Sequence, residues 1–193
     1  MTIFQSNMNN NMKKLFLTIL FCFMAVLSYC QTKHLTIMGI PITGSITTFQ
    51  QKLLAKNFRV DAAANKEFPV GQGAFKGKFS GHDCSLIAYY FPESKIVHKV
   101  RVSIDFPKYV DADNAYNELK KNLLVKYKNT DLKKGQNNGH EFIRVAVFDD
   151  NDIPLGVIDL FVGEGEGDYE SELVIGYKDI SSVQADIQNQ NDL

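Results

Sequence analysis

The sequence predicts an α+β fold, an antiparallel sheet with its helices on one face. Three observations carry that prediction. Between Phe75 and Phe106 the chain reads as three consecutive strands joined by short turns. Helical periodicity brackets this block on both sides, and a second run of strands follows towards the C-terminus.

The chain opens with an export signal of bacterial type. Met12-Lys13-Lys14 is a positive lead, Leu15 to Leu27 (LFLTILFCFMAVL) is an apolar run, and Ser28-Tyr29-Cys30-Gln31 is a short polar stretch. The run is too short for a comfortable transmembrane helix. Met1 to Asn11 reads as an upstream start, which makes Met12 the preferred initiator, so residues 1–30 are expected to be a signal peptide with an upstream extension. With Ser28 at −3 and Cys30 at −1, a signal peptidase leaves Gln31 as the new N-terminus. The alternative takes Leu27-Ser28-Tyr29-Cys30 as a degenerate lipobox with Cys30 lipidated; the bulk of Tyr29 favours cleavage after Cys30. The expected location is periplasmic or extracellular, or lipid-anchored to the membrane under the alternative, with no transmembrane span in the mature form.

At 193 residues, 45% hydrophobic and 22% charged, the chain suffices for one domain or two small ones. Loss of Lys13 and Lys14 with the signal leaves 19 basic and 22 acidic residues, a net charge of −3. The cations are dispersed, whereas nucleic-acid binding needs a basic footprint, so nucleic acid is excluded as a partner. Cys22 departs with the signal, leaving Cys84, joined by Cys30 only if that residue is lipidated; a disulfide framework is excluded. Cys84 sits in an apolar strand, as a buried, inert thiol does.

Each element follows from local pattern. His34 to Ile42 (HLTIMGIPI) reads as a short apolar strand or an extended lead-in, ended by Pro41. Gly44-Ser45 offers an N-cap, and Ile46, Phe49 and Leu53 share a helical face. Asn57 suits a left-handed stop, with Phe58 turning back onto the helix. Arg59 to Gly73 is a connection with one short strand. Phe75, Gly77, Phe79 and Gly81 share a face of a strand whose glycines mark it as an edge or bulged one. Cys84 to Phe91 is apolar on both faces. Pro92 to Lys95 suits a type I turn. From Ile96 to Phe106 the residues alternate, with Ile96, His98, Val100, Val102, Ile104 and Phe106 facing inward.

The second half repeats the order. Pro107 leads to a helix with Asp111 as the expected cap and an apolar stripe of Ala112, Tyr116, Leu119, Leu123 and Tyr127. Asn129 to Gly139 (NTDLKKGQNNG) is a loop by composition. Strands are expected at Glu141 to Asp149, Leu155 to Val162 and Glu172 to Tyr177, with hairpin loops at Asp150 to Asp152 and Glu164 to Asp168. In the polar tail, Ile180, Val183 and Ile187 either form a short docked helix or fray. Gly81-His82-Asp83-Cys84 through Tyr90 aligns with Gly139-His140-Glu141-Phe142 through Phe148. That match predicts a tandem α-β-β-β duplication, with units 31–107 and 108–180 and a polar tail, 181–193.

The opening Gly39-Ile40-Pro41-Ile42-Thr43-Gly44, the helix ending Lys56-Asn57-Phe58, and Phe75-Lys76-Gly77-Lys78-Phe79-Ser80-Gly81 together resemble a group of small exported proteins of Bacteroides and Prevotella. That group shares a Gly-Ile-Pro-x-x-Gly opening, a helix ending in Lys-Gly-Phe and a Phe-x-Gly-x-Phe-x-Gly strand. Its ending, a Tyr-bearing strand and a tail closing in Asp-Leu, is matched by Tyr177 and Asp192-Leu193. Asn57 stands where the group has glycine. The resemblance implies a gut-bacterial envelope protein and brings no activity or catalytic residues.

Residues able to do chemistry are scattered. His34, His82, His98 and His140 show no ligand spacing, and no metal or cofactor is implied. His98 reads as a satisfied core or interface histidine, and His82 and His140 as turn residues that would converge only if the repeats brought them together. His82 and Cys84 share a strand face, but a Cys–His pair needs an exposed thiol and an oriented base. The acidic loops, Asp149 to Asp152 and Glu164 to Glu170, lack EF-hand spacing, and Gly163, Gly165 and Gly167 precede a strand rather than a nucleotide-binding helix. Tyr89, Tyr90 and Phe91 lie on both strand faces, so one of them is expected to be exposed as a partner-binding surface, unless the second repeat covers that face. The leading expectation is thus an exported, non-enzymatic module binding an envelope protein or ligand through Tyr89, Tyr90, His82 and His140. The alternative is a hydrolase-like envelope enzyme with His82, His140 and the acidic loops between the repeats.

Overall fold

A computed structural model describes residues 33–127, 130–137 and 140–191. The predicted signal segment with Cys30, the strand-opening Gly139 and the closing Asp192-Leu193 lie outside the described residues. From Lys33 onward the chain begins with a small hairpin, β1 (Thr36–Ile37) and β2 (Ile40–Pro41). Met38 (φ 50°) and Gly39 (φ 78°) form its turn. Two consecutive positive φ angles are those of a type I′ turn, whose twist matches its strands. The expected single strand is thus folded into a hairpin, and Pro41, paired with Thr36, is the last residue of β2.

Helix α1 (Ile46–Leu54) starts as its sequence requires: the Ser45 hydroxyl accepts the Thr48 N–H at 3.2 Å. Phe49 and Leu53 are buried against the core. Asn57 adopts φ 64°, and the Phe58 N–H donates to Leu53 O at 3.1 Å while its ring is buried, the expected left-handed stop. Arg59 to Gly71 holds the two-residue strand β3 (Arg59–Val60) and a helical turn, α2 (Ala64–Glu67).

The strands β4 (Gln72–Phe79), β5 (His82–Tyr90), β6 (Val97–Phe106), β7 (Thr130–Asn137), β8 (His140–Phe148), β9 (Pro154–Glu164) and β10 (Ser171–Asp179) join β3 in one antiparallel sheet. Its order is β3-β4-β5-β6-β10-β9-β8-β7. Two meanders therefore lie back to back, with their last strands paired at the centre, Val102 opposite Ile175. One row of opposed side chains, Phe75, Leu86, Val102, Ile175, Leu160 and Ile143, crosses six strands and is buried throughout. Each such side chain contributes about 1.5–3 kcal/mol of transfer free energy. Helix α3 (Tyr109–Lys126) packs over β6, β10 and β9 through Ala112, Ala115, Tyr116, Leu119 and Leu123. It shares this core with Phe49 and Leu53 of α1.

Several expectations are corrected. Asn129 to Gly139, polar enough to read as a loop, contains the edge strand β7, whose Gly135 faces Phe142 on β8. A Cβ there would stand 2.5 Å from the Phe142 ring, so the glycine admits the neighbouring aromatic. Asp111 is not the cap of α3; Glu170, from the distant β9–β10 loop, accepts the Tyr109 N–H at 3.2 Å. A carboxylate there also meets the positive end of the helix dipole.

Each half has a helix and four strands rather than three, with the helical turn α2 between β3 and β4 in the first half alone, and the sheet order sets β5 against β9 and β4 against β8. The Gly81–Tyr90 and Gly139–Phe148 match pairs the third strand of one meander with the second of the other, so that register is not the sheet's. Opposite Tyr89 and Tyr90 the ladder slips by one residue: Val97 pairs with Tyr90 and is buried. His98 leaves the inner face and stacks on Phe91, ring centres 4.1 Å apart. The tail forms a docked helix, α4 (Ile180–Asn191), against β9 and β6: Ile180 and Val183 are half-buried and Ile187 is exposed, while Ser182 and Asp186 are buried. The Ser182 hydroxyl donates to Ile42 O at 2.9 Å, and Asp186 accepts the Ser94 hydroxyl at 2.6 Å.

Candidate binding surface

Alternation along the strands turns one set of side chains into the core and the other to the face away from α1 and α3. On that second face Tyr89 opposes Lys99, whose Nζ lies 4.7 Å from the ring centre. Arg101 donates to Glu172 at 3.0 Å. Arg144 holds its cross-strand partner Asp159 with two bonds, 2.6 and 2.9 Å. These pairs are partly exposed, where one pair is worth about 0–1 kcal/mol, so they organise the face more than they stabilise the fold. Val174 and Ser103 lie buried between them.

Where this face meets the open end of β4 and β5 there is a groove of about 900 Å³. Its walls carry Lys56 and Asn57 from the end of α1, Arg59 of β3, Lys76 and Lys78 of β4, and Asp83 and Asp105. The Asp105 carboxyl is pushed above the ordinary carboxylate range, first by burial and then by Glu172 and Glu166. His82 lies at the rim with its ring edge-on to Phe106, 5.1 Å between centres.

Not all the sequence-predicted residues meet. Tyr89 and Tyr90, being adjacent in a strand, point to opposite faces; Tyr90 packs against the core beneath Lys95. His82 opens β5 and His140 opens β8, at the same end of the sheet but four strands apart. At about 4.8 Å per strand their backbones are separated by roughly 19 Å. His34 donates to or accepts from Asp179, at 3.0 Å. In the acidic loop Asp149 accepts the N–H groups of Asn151 (2.8 Å) and Ile153 (2.9 Å), and these bonds hold its carboxyl below the usual range. Lys33 pairs with Asp150 at 2.9 Å. Among the described residues no group of three His, Cys, Asp or Glu side chains is placed to hold a metal ion. The cations around the groove went unnoticed in the sequence because Lys56, Arg59, Lys76 and Lys78 come from three separate elements.

Cys84 is buried on the core side of β5, and burial pushes its thiol up to about 11. The thiolate is the reactive species, so the folded protein is expected to resist Ellman's reagent at pH 8 and to react on addition of urea. Rapid labelling of the native protein would show that the thiol is accessible after all.

No helix among the described residues is long and apolar enough to cross a membrane. No family model, curated protein or solved structure matches the chain.

Proposed function

We propose that the protein is an exported binding module of the bacterial cell envelope, without catalytic activity of its own, that takes a partner on the sheet face turned away from α1 and α3. The observation that carries this reading is the division of labour between the two faces. One holds the apolar core and helices; the other presents Tyr89 and Lys99 together with the ion pairs, and leads into a groove. Export follows from the segment Met12 to Leu27. Processing leaves Gln31 first, or Cys30 lipidated under the alternative, and the intact mass of the native protein distinguishes the two.

The reading is tested by crosslinking the tagged protein in the native envelope and identifying captured proteins by mass spectrometry. One reproducible partner is expected, lost in a Tyr89→Ser variant that keeps its melting temperature. Capture of nothing specific across growth conditions, or a partner indifferent to the whole face, counts against it.

A further inference from the structure

We infer that the groove beside β4 binds an extended acidic peptide segment, laid as an added strand along the part of the β4 edge that β3 leaves open. This rests on the binding-module reading and gives the partner a chemistry.

The backbone argument begins at the β4–β5 turn. Ser80 (φ 50°) and Gly81 (φ 86°) make a two-residue hairpin, so Phe79 and His82 form its closing hydrogen-bonded pair. Hydrogen-bonded pairs alternate along an antiparallel ladder, so Gly77 and Cys84 form the next. Lys78, between them, turns its N–H and C=O away from β5. On that side β3 pairs only Arg59 with Lys76 and Val60 with Phe75. The chain before Arg59 has already turned into the left-handed Asn57 and the buried Phe58, so among the described residues no strand continues the ladder from Lys76 to Lys78. An unpaired strand edge is the template on which extended peptides add.

The charge argument is independent of it. Four cations surround the groove (Lys56, Arg59, Lys76 and Lys78) against the two carboxylates Asp83 and Asp105. Lys76 is engaged by Asp61 at 2.9 Å, and Lys78 reaches Asp83 only at 3.8 Å with both side chains exposed. Lys56 and Arg59 are exposed and form no salt bridge among the described residues. Cross-strand pairing puts Arg59 on the same face as Lys76, and Lys78 follows two residues on. A strand added beside them presents every second side chain to that face, so acidic residues at alternate positions complement it.

The test uses fluorescence anisotropy at low salt, with the purified protein and a fluorescein-labelled ten-residue peptide alternating glutamate and threonine. Binding is expected, weakened at least about tenfold by the paired charge reversals Lys56→Glu and Arg59→Glu in a variant of unchanged melting temperature, since lost charge complementarity acts directly on such contacts. With the native protein, N-methylation of alternate peptide amides is expected to abolish binding, because the ladder bonds cannot form. Absence of binding overturns the inference. So does equal binding of the N-methylated peptide, of a lysine–threonine counterpart, or of dextran sulfate in its place, which would mark a generic polyanion surface or none. If envelope crosslinking captures a partner through Tyr89 while the peptide fails to bind, this inference falls and the binding-module reading stands.

Discussion

Gly156→Ala is expected to lower stability by about 3 kcal/mol, a melting-temperature loss of about 6–12 °C for a unit of this size. Gly156 lies in β9 between two partners, Val147 on β8 and Asp179 on β10. A Cβ added there would overlap the Lys178 carbonyl oxygen and stand 3.2 Å from the Lys178 carbonyl carbon. A side chain can rotate away from a clash, but a carbonyl held in a ladder cannot move without breaking its pairing. The comparison is Gly163→Ala in the same strand, where the nearest atom is a Phe161 ring carbon at 3.7 Å. There the smaller backbone entropy of alanine in the unfolded chain is expected to leave stability unchanged or raised by up to about 1 kcal/mol. Urea unfolding followed by far-ultraviolet circular dichroism measures both. Equal effects of the two substitutions would show that backbone approach at Gly156 is not the cause.

Asp179→Ala is expected to have a comparable effect, about 3 kcal/mol, by a different route. Asp179 is fully buried at the end of β10, and its carboxylate accepts the Leu35 N–H at 2.6 Å and the Ser182 N–H at 2.7 Å, with His34 Nδ1 at 3.0 Å. One side chain thus caps α4 and ties the N-terminal hairpin to the sheet. Removing it leaves two backbone donors without a partner and removes the cap from its helix. Asp179→Asn keeps one acceptor oxygen and is expected to lose less. Native-state hydrogen exchange gives the specific signature: the amides of Leu35 and Ser182 should lose protection in Asp179→Ala more than those of the central pair Val102 and Ile175. Uniform loss along the chain would mean that the residue acts on global stability alone.

These two residues also mark where sequence reading ends. Asp179 stands in a stretch, Tyr-Lys-Asp-Ile-Ser-Ser, that reads locally as the end of a strand and the start of a polar tail. Its partners are Leu35 and Ser182, one of them 144 residues away in the chain. Gly156 looks like any strand glycine until its neighbour β10 is in place. Likewise Thr130 to Asn137 has the composition of a loop; it becomes a strand because Phe142 packs over Gly135 and β8 supplies a ladder. The groove is the same case, since its cations share no period or motif.

What the sequence alone determined is local. The period-two pattern expected from Ile96 to Phe106, which holds from Val100 onward, the stripe Ala112–Tyr116–Leu119–Leu123, the Ser45 cap and the left-handed Asn57 follow from side-chain alternation and backbone sterics within a few residues. Those rules sufficed for an antiparallel α+β fold. The tertiary structure alone decided which strands are neighbours, that β6 meets β10 at the centre, and that His82 and His140 lie apart. Pairing between distant strands is selected by how whole apolar faces and backbone edges fit together. That fit is a property of the assembled sheet, and no window of the chain contains it.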